Sequence, residues 1–527
     1  MATSVDDIND LTFLKKQYRD VCNDNQSLRK QLDAVQQQLA WLQRQVFGRK
    51  SEKRVEVDPA IQADLFAKLN IAPLPTPDVP TEEIRYVRRQ KLRGDDTVSD
   101  TGLRFDDTVP VEVIRLKPDG IDGLSPDEYE IINEKVTHRL AQRPGSYVVL
   151  KYVRPVIKCK DSQALRTAAM PENILEKSVA DVSVLVGIVV DKFLYHMPLY
   201  RQHQRMKQCG ITLSRTTLTN WVSRSIDLLT PIVDAQMASV LRSRVLAMDE
   251  TPIKAGRKHK GKMRQAYIWP IYGDLDEIVF RYTSSRAHHH VNALLGGDFT
   301  GTIVSDGYKA YERFAEKTAG VINAQCWSHS RRYFEGALDA DADPIAAEEA
   351  LTIIGALYKH DNMTKKMGLQ GDDKQTYRTK HMKPIVESFW VWCDRQCQRT
   401  DLLPSDKLAK ALKYVMNRQA ELQVFLSDPD VPLDTNHVER ELRVIPMGRK
   451  AWLFAWTEIG AERIAIIQSL LVSCKLHGID PFVYIVDVLQ RIGQHPASAV
   501  HELTPRIWKT LFEANPLRSD LDKITRQ

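Results

Sequence analysis

Cysteine is scarce in this chain and is not clustered. Its 527 residues hold seven cysteines (Cys22, Cys159, Cys209, Cys326, Cys393, Cys397 and Cys474), scattered and odd in number. That pattern excludes a disulfide framework and fits reduced thiols in a cytosol. Long apolar runs are missing too: no uninterrupted stretch reaches the ~18 residues of a membrane helix. The first residues are polar and acidic, unlike a secretory signal. Charge of one sign is not in large excess either. The net charge of +6, from 74 Lys and Arg against 68 Asp and Glu, does not identify an anionic partner. Local clustering must answer that question. The 43% hydrophobic content is ordinary for a globular protein, and the length leaves room for roughly three or four domains.

Leu11, Leu14, Tyr18, Val21, Asn25, Leu28, Leu32, Val35, Leu39, Leu42 and Val46 alternate spacings of three and four without a slip. This is a heptad repeat, with Leu11, Tyr18, Asn25, Leu32, Leu39 and Val46 at a and Leu14, Val21, Leu28, Val35 and Leu42 at d. Asn25 is the lone polar core residue and would fix register in a two-stranded parallel coiled coil. An amphipathic helix packed on its own chain would show a wider apolar face. Leu14, Asn25, Leu28, Leu32 and Leu39 are therefore the expected dimerisation contacts.

Gly48 ends that helix. Arg49, Lys50 and Lys53 follow, then a Pro-rich stretch and a second basic cluster from Arg85 to Arg93. Such segments fit DNA phosphates or a solvated hinge about equally well. From Val109 to about Lys160 short β-rich runs, Val111 to Ile114, Tyr129 to Val136 and Tyr147 to Val153, alternate with turns. Cys159 is the single cysteine there, which excludes a cysteine-rich structural zinc site.

Residues 178–230 are helical in period. A helix closed by Gly210, a short turn and a second helix capped by Ser214 form a helix-turn-helix pattern. Leu218, Trp221 and Val222 would face inward. Arg215, Thr216, Thr219 and Asn220 would project outward, where Arg can read guanine and Asn adenine. Helical hairpins are common without DNA, so the neighbouring basic residues carry part of this reading.

The run Val245-Leu246-Ala247-Met248 reads as a buried strand ending at Asp249. Two further strands, a short helix and the strand Thr302-Ile303-Val304-Ser305 ending at Asp306 follow. Three hairpin-linked strands, a helix and an acid-bearing strand are the order of a ribonuclease-H-like sheet, with Asp249 and Asp306 at neighbouring strand ends. A third acid, Glu439, lies on a later helix in Asn436-His437-Val438-Glu439-Arg440-Glu441-Leu442-Arg443. Hard oxygen ligands suit magnesium, and a pair of such ions can activate the attacking oxygen and stabilise the leaving oxygen of an in-line displacement. Strand alternation puts Glu250 on the opposite face from Asp249, as a structural or supporting group. His288-His289-His290 has no partner cluster at ligand spacing. His329, Arg331 and Arg332, in Cys326-Trp327-Ser328-His329-Ser330-Arg331-Arg332, are expected to approach the acids or DNA. Arg440, Arg443, Arg449 and Lys450 favour phosphate. Trp452, Phe454 and Trp456 suit base stacking or a hydrophobic edge. Cys393 and Cys397, in an aromatic segment, read as core.

At these residues the chain resembles the DDE transposases of the insertion sequence 66 family. The likeness runs through Val46-Phe47-Gly48-Arg49-Lys50-Ser51-Glu52-Lys53, Met248-Asp249-Glu250-Thr251, Ser305-Asp306-Gly307-Tyr308, the Cys326 and Asn436 motifs, Gly448-Arg449-Lys450-Ala451-Trp452-Leu453-Phe454 and Leu503-Thr504-Pro505-Arg506-Ile507-Trp508. It implies Asp249, Asp306 and Glu439 as catalytic metal ligands for two Mg2+ (or Mn2+) ions. It also implies a ribonuclease-H-like core with a helical insertion, binding of terminal inverted repeats, and small accessory proteins of the same element. Many members carry a zinc-binding segment where residues 106–160 lie; those cysteines are absent here, and no zinc is expected.

The expected organisation is multidomain α/β: a coiled coil (1–48), a basic and Pro-rich linker (49–105), a small β-rich module (106–160), a helix-turn-helix domain (161–235), a catalytic core (236–335 and 432–475) interrupted by a helical insertion (336–431), and a helical tail (476–527). The expected activity is DNA cleavage and strand transfer by a cytoplasmic, nucleoid-associated homodimer or larger synaptic complex on DNA ends and target DNA, with no membrane contact. A catalytically silent DNA-binding regulator and a nuclease without strand transfer are the competing readings.

Overall fold

The computed structural model describes residues 103–118, 128–143, 145–160, 164–259, 261–340 and 343–524, together with the backbone of Thr97–Val98. These belong to one unit, Leu92–Gln527. The zipper and the basic residues Arg49, Lys50 and Lys53 lie outside the described residues.

Strands β1 (Thr97–Val98) and β2 (Arg104–Phe105) begin the unit. Next comes β3 (Val111–Arg115), followed by the long hairpin β4 (Tyr129–Arg143) and β5 (Ser146–Cys159), then β6 (Leu165–Thr167). β4 and β5 pair antiparallel along their whole length, with an irregularity between Ile131 and Asn133. The sequence pattern marks Tyr129 to Val136 of β4 and Tyr147 to Val153 of β5, that is, the exposed half of the first strand and the buried half of the second. The rest of β4 buries Arg139, Leu140, Ala141 and Gln142 in succession, so it carries no polar–apolar alternation to read.

Helix α1 (Val182–Phe193) is almost wholly buried and is capped by Asp181, which accepts from the Ser183 amide at 2.9 Å. Helix α2 (Leu199–Gln208), strand β7 (Ile211–Thr212) and helix α3 (Arg215–Val240) follow. Ser214 caps α3 by accepting from Thr217 at 3.0 Å. The turn is not free, because β7 pairs with β2. Helix α3 runs well past the expected boundary at 235. Its first turns carry exposed polar residues, and Leu218, Trp221, Ile226, Leu229 and Ile232 bury the rest in the main core.

The central sheet comprises β8 (Val245–Met248), β9 (Thr251–His259), β10 (Lys262–Tyr272), β11 (Ile278–Thr283), β12 (Gly301–Ser305) and β13 (Val321–Gln325). Its order is β11-β10-β8-β12-β13, with β9 beside β10. β10 is antiparallel to β8, β9 and β11, whereas β8, β12 and β13 are mutually parallel. The parallel crossovers are made by α4 (His289–Leu295) and α5 (Lys309–Lys317). Side chains alternate between two cores: Ile303 joins the larger and Val304 the second.

Helix α6 (Trp327–Leu338) leaves β13 and leads into the helical insertion: α7 (Pro344–Lys366), α8 (Gly371–Tyr377), a π-helical turn, α9 (Lys383–Cys397), α10 (Lys407–Met416) and α11 (Gln419–Gln423). Its aromatics, Phe389, Trp390 and Trp392, pack with Trp327 and Phe334 against the Val304 face of the sheet. Cys393 is in that core, but Cys397 is exposed. The chain returns through α12 (Asn436–Leu442), α13 (Val444–Trp452) and α14 (Glu458–Leu476), which packs across the sheet on β11. Helices α15 (Pro481–Arg491), α16 (Pro505–Leu511) and α17 (Asp520–Ile524) close the fold. No helix among the described residues is long and apolar enough to cross a membrane.

Candidate active site

β8 and β12 are adjacent and parallel, so Asp249 and Asp306 leave the sheet at the same edge. Between β8 and β9 the strand is interrupted at Asp249 and Glu250. The register puts Met248 opposite Ile271 and Thr251 opposite Ile268, so the interruption faces Trp269 and Pro270. Pro270 has no N–H to offer the ladder. Strand alternation therefore does not govern these two residues, and the expectation that Glu250 lies on the opposite face is not met. Carboxylate oxygens of Asp249, Glu250 and Asp306 all lie within 4.8 Å of one another.

Each acid is held differently. Asp249 Oδ1 accepts from the following amide at 2.7 Å. Burial, with the negative charges of Glu250, Asp306 and Glu439, pushes its carboxyl up to about 7. Glu250 is almost fully enclosed. One oxygen pairs with Arg286 and the other accepts from the Tyr311 hydroxyl at 2.8 Å. Burial and Asp306 raise its pKa, opposed by Arg286. Asp306 Oδ1 accepts from the Tyr308 amide at 2.9 Å, and its other oxygen lies 3.7 Å from Arg286. The Arg286 guanidinium stands 4.0 Å over the Tyr308 ring.

The helical insertion reaches back to this edge. Tyr414 donates to the Asp306 carbonyl at 2.6 Å, and Arg418 donates to the Gly307 carbonyl at 3.2 Å. Tyr333 stacks on Tyr414 at 4.1 Å. Gly307 has φ +83°, and a Cβ there would lie 2.6 Å from Arg418 Nε and 2.8 Å from Gln325 Oε1. Only glycine lets the loop pass so close.

The Cys326 motif organises the third acid. Cys326 donates its amide to the Ser305 carbonyl at 3.0 Å, and its Sγ accepts from the Thr435 amide at 3.3 Å. The Trp327 amide donates to the Leu433 carbonyl at 3.1 Å. These bonds tie the strand ends to the segment entering α12. Glu439 then pairs with Arg332 and lies 3.6 Å from His329 Nε2. Burial and Arg332 hold the His329 imidazole below its ordinary range, so Arg332 supplies the positive charge in this cluster. Glu441, two residues on, turns inward and accepts from Lys475 at 2.8 Å. Glu441 is thus taken up by its own pairing, while the charge of Glu439 acts on Asp249 from outside the cluster of Asp249, Glu250 and Asp306.

Among the other residues singled out from sequence, Arg215, Thr216, Thr219 and Asn220 are exposed on the first turns of α3, as are Arg440, Arg443 and Lys450 near the acids in sequence. Arg331 pairs with Glu335 on its own helix at 3.0 Å. Arg449 donates to the Pro252 carbonyl. Arg286, Tyr311, Tyr414 and Arg418 escaped sequence reasoning, since none lies in a motif and tertiary packing brings each to the acids.

A mixed α/β protein that gathers hard carboxylate oxygens at adjacent strand ends has the donor set that divalent cations take. Residues 177–463 match the Transposase IS66 family, residues 469–506 the IS66 C-terminal element, and residues 34–114 a region described as the Transposase C of IS166 homeodomain. The chain belongs to the IS66 transposase family, whose domains imply transposase function and DNA binding. The homeodomain match falls mostly on residues read from sequence as linker, and largely outside those described. The chain is similar to uncharacterized proteins of Sinorhizobium fredii (strain NBRC 101917 / NGR234). It is 30% identical to y4hP over 402 residues, covering 72% of this chain and 71% of the relative. To y4jD it is 26% identical over 490 residues, covering 90% and 94%.

Proposed function

We propose that this transposase cuts the ends of its element and joins them to target DNA by metal-dependent phosphoryl transfer, on a ribonuclease-H-like core. The observation that carries the reading is the convergence of Asp249 and Asp306 at one sheet edge, with the charge of Glu439 acting on Asp249. The residues fit divalent ions: a half-buried acid with its pKa near 7 beside two others is a concentration of negative charge that a cation relieves. Asp249, Asp306 and Glu439 would hold the ions, which when bound supply charge neutralisation at the attacking and leaving oxygens.

The chain's own groups do the positioning. Arg286 and Tyr311 occupy both oxygens of Glu250, leaving it a supporting role beside Asp249. Tyr414 and Arg418 fix the backbone under Asp306, while Arg332 orients Glu439. A water and then a 3′ hydroxyl would be the successive nucleophiles, with no covalent enzyme intermediate. Exposed Arg215, Thr216, Thr219 and Asn220 on α3 would read terminal inverted repeats, and the N-terminal heptads would pair two copies.

The test uses end-bearing duplexes with magnesium. Asp249→Asn, Asp306→Asn and Glu439→Gln should each abolish cleavage and joining while end binding persists. Cleavage retained by any one of them removes that residue from the assignment.

A further inference from the structure

We infer that the hairpin β9–β10 is a DNA-gripping arm that tracks the phosphate backbone beside the cut site, independently of base sequence. This rests on the transposase reading above and adds a contact surface to it. Residues 251–266 contain six Lys and Arg and no Asp or Glu. Among the described ones, Lys254, Arg257, Lys258, Lys262 and Arg264 are all exposed. Arg264 pairs with Glu458 at 3.3 Å. Arg257, Lys258 and Lys262 make no ion pair with any described residue.

The ladder sets Lys254, Arg257 and Lys262 opposite Gln265, Met263 and His259 rather than an acid, so the charge of the arm is left uncompensated across the hairpin and suits an anionic partner. Register shifts on both sides of Met263 add local twist. β9 starts two residues after Asp249. Eight strand residues on to His259 reach about 26 Å, a length of duplex axis that presents about fifteen phosphates.

The base of the arm carries an aromatic. The Ala455 amide donates to the Lys254 carbonyl at 2.9 Å and the Gly256 amide to the Ala455 carbonyl at 3.2 Å. The segment 453–456 is thereby laid against the arm, with Trp456 66% exposed. A cationic strand pair beside an exposed indole, rooted next to three acids, has the composition of a surface that follows a nucleic-acid backbone and stacks on an unpaired base.

The experiment measures binding of the full-length protein to an end-bearing duplex and to a random-sequence duplex across a salt series. The variant Arg257→Gln/Lys258→Gln/Lys262→Gln should weaken both equally. It should also lower the slope of log K against log salt by up to about 2.7. Single Lys258→Gln should lower it by about 0.9, which keeps the idea testable if the triple variant fails to fold. The charge-keeping variant Arg257→Lys/Lys258→Arg/Lys262→Arg should retain the wild-type slope. An unchanged slope in both Gln variants, or a loss confined to the end-bearing duplex, would overturn the arm. Wild-type protein that binds DNA but never cuts it would sink the catalytic reading while the slopes still decide the arm's role.

Discussion

Replacing Asp249 with asparagine should stabilise the metal-free protein above neutral pH, although it removes a proposed ligand. The Asp249 carboxyl is pushed up to about 7 by burial first and by Glu250, Asp306 and Glu439 after it. In the unfolded chain the same group titrates near the ordinary value of about 3.9. The folded state therefore holds this proton more tightly. The favourable contribution is complete below about pH 4 and is lost as pH rises through about 7. Three units at 1.36 kcal/mol each bound the effect at about 4 kcal/mol. Residual exposure and shared repulsion with the neighbouring acids reduce the part visible in unfolding to about 2 kcal/mol. Urea unfolding in chelator at pH 5 and pH 8 reads this directly. Wild type should lose stability between the two, and Asp249→Asn should lose much less and exceed wild type at pH 8. Magnesium should restore wild type at pH 8 and leave the variant nearly unmoved. Equal pH dependence in the two proteins would refute the argument that burial and neighbouring charge strain this acid.

Other perturbations separate positioning from stability. Gly307→Ala forces a side chain into a left-handed backbone against Arg418 and Gln325; a loss of about 1–3 kcal/mol in unfolding is expected, together with reduced cleavage. Tyr414→Phe removes one hydrogen bond beneath Asp306 and should slow cleavage by about tenfold with end binding unchanged, as read by single-turnover kinetics. Glu441→Ala removes a buried carboxylate whose partners Lys475 and Arg440 are both exposed and keep their water, so it should cost about 1 kcal/mol or less in melting and leave cleavage intact, whereas Glu439→Gln should melt like wild type and fail to cut.

The sheet edge was legible because its strands are short, apolar and bounded by acids. Val245 to Met248 and Thr302 to Ser305 announce buried strands, and each ends where a carboxylate begins. Helix α3 was legible from Ser214 and from the spacing of Leu218, Trp221 and Val222. What escaped follows from physics that acts across the chain. Pro270 opens the ladder opposite Asp249 and Glu250, so a rule that holds inside strands failed at this strand's end. Tyr414 and Arg418 reach the acids only through the folded insertion, and Arg286 only through the connection that follows β11. The inner half of β4 buries Arg139 and Gln142 beside Leu140 and Ala141 and so left no periodic trace. The heptads and the first basic cluster lie outside the described residues, and their roles rest on sequence.

Crystals of the protein with end DNA and manganese, read by anomalous scattering, test the central claim most directly. The account predicts manganese peaks bounded by Asp249, Asp306 and Glu439, with Glu250 still paired to Arg286 and Tyr311. Manganese bound elsewhere, with Arg332 still paired to Glu439 beside a DNA end, would contradict it.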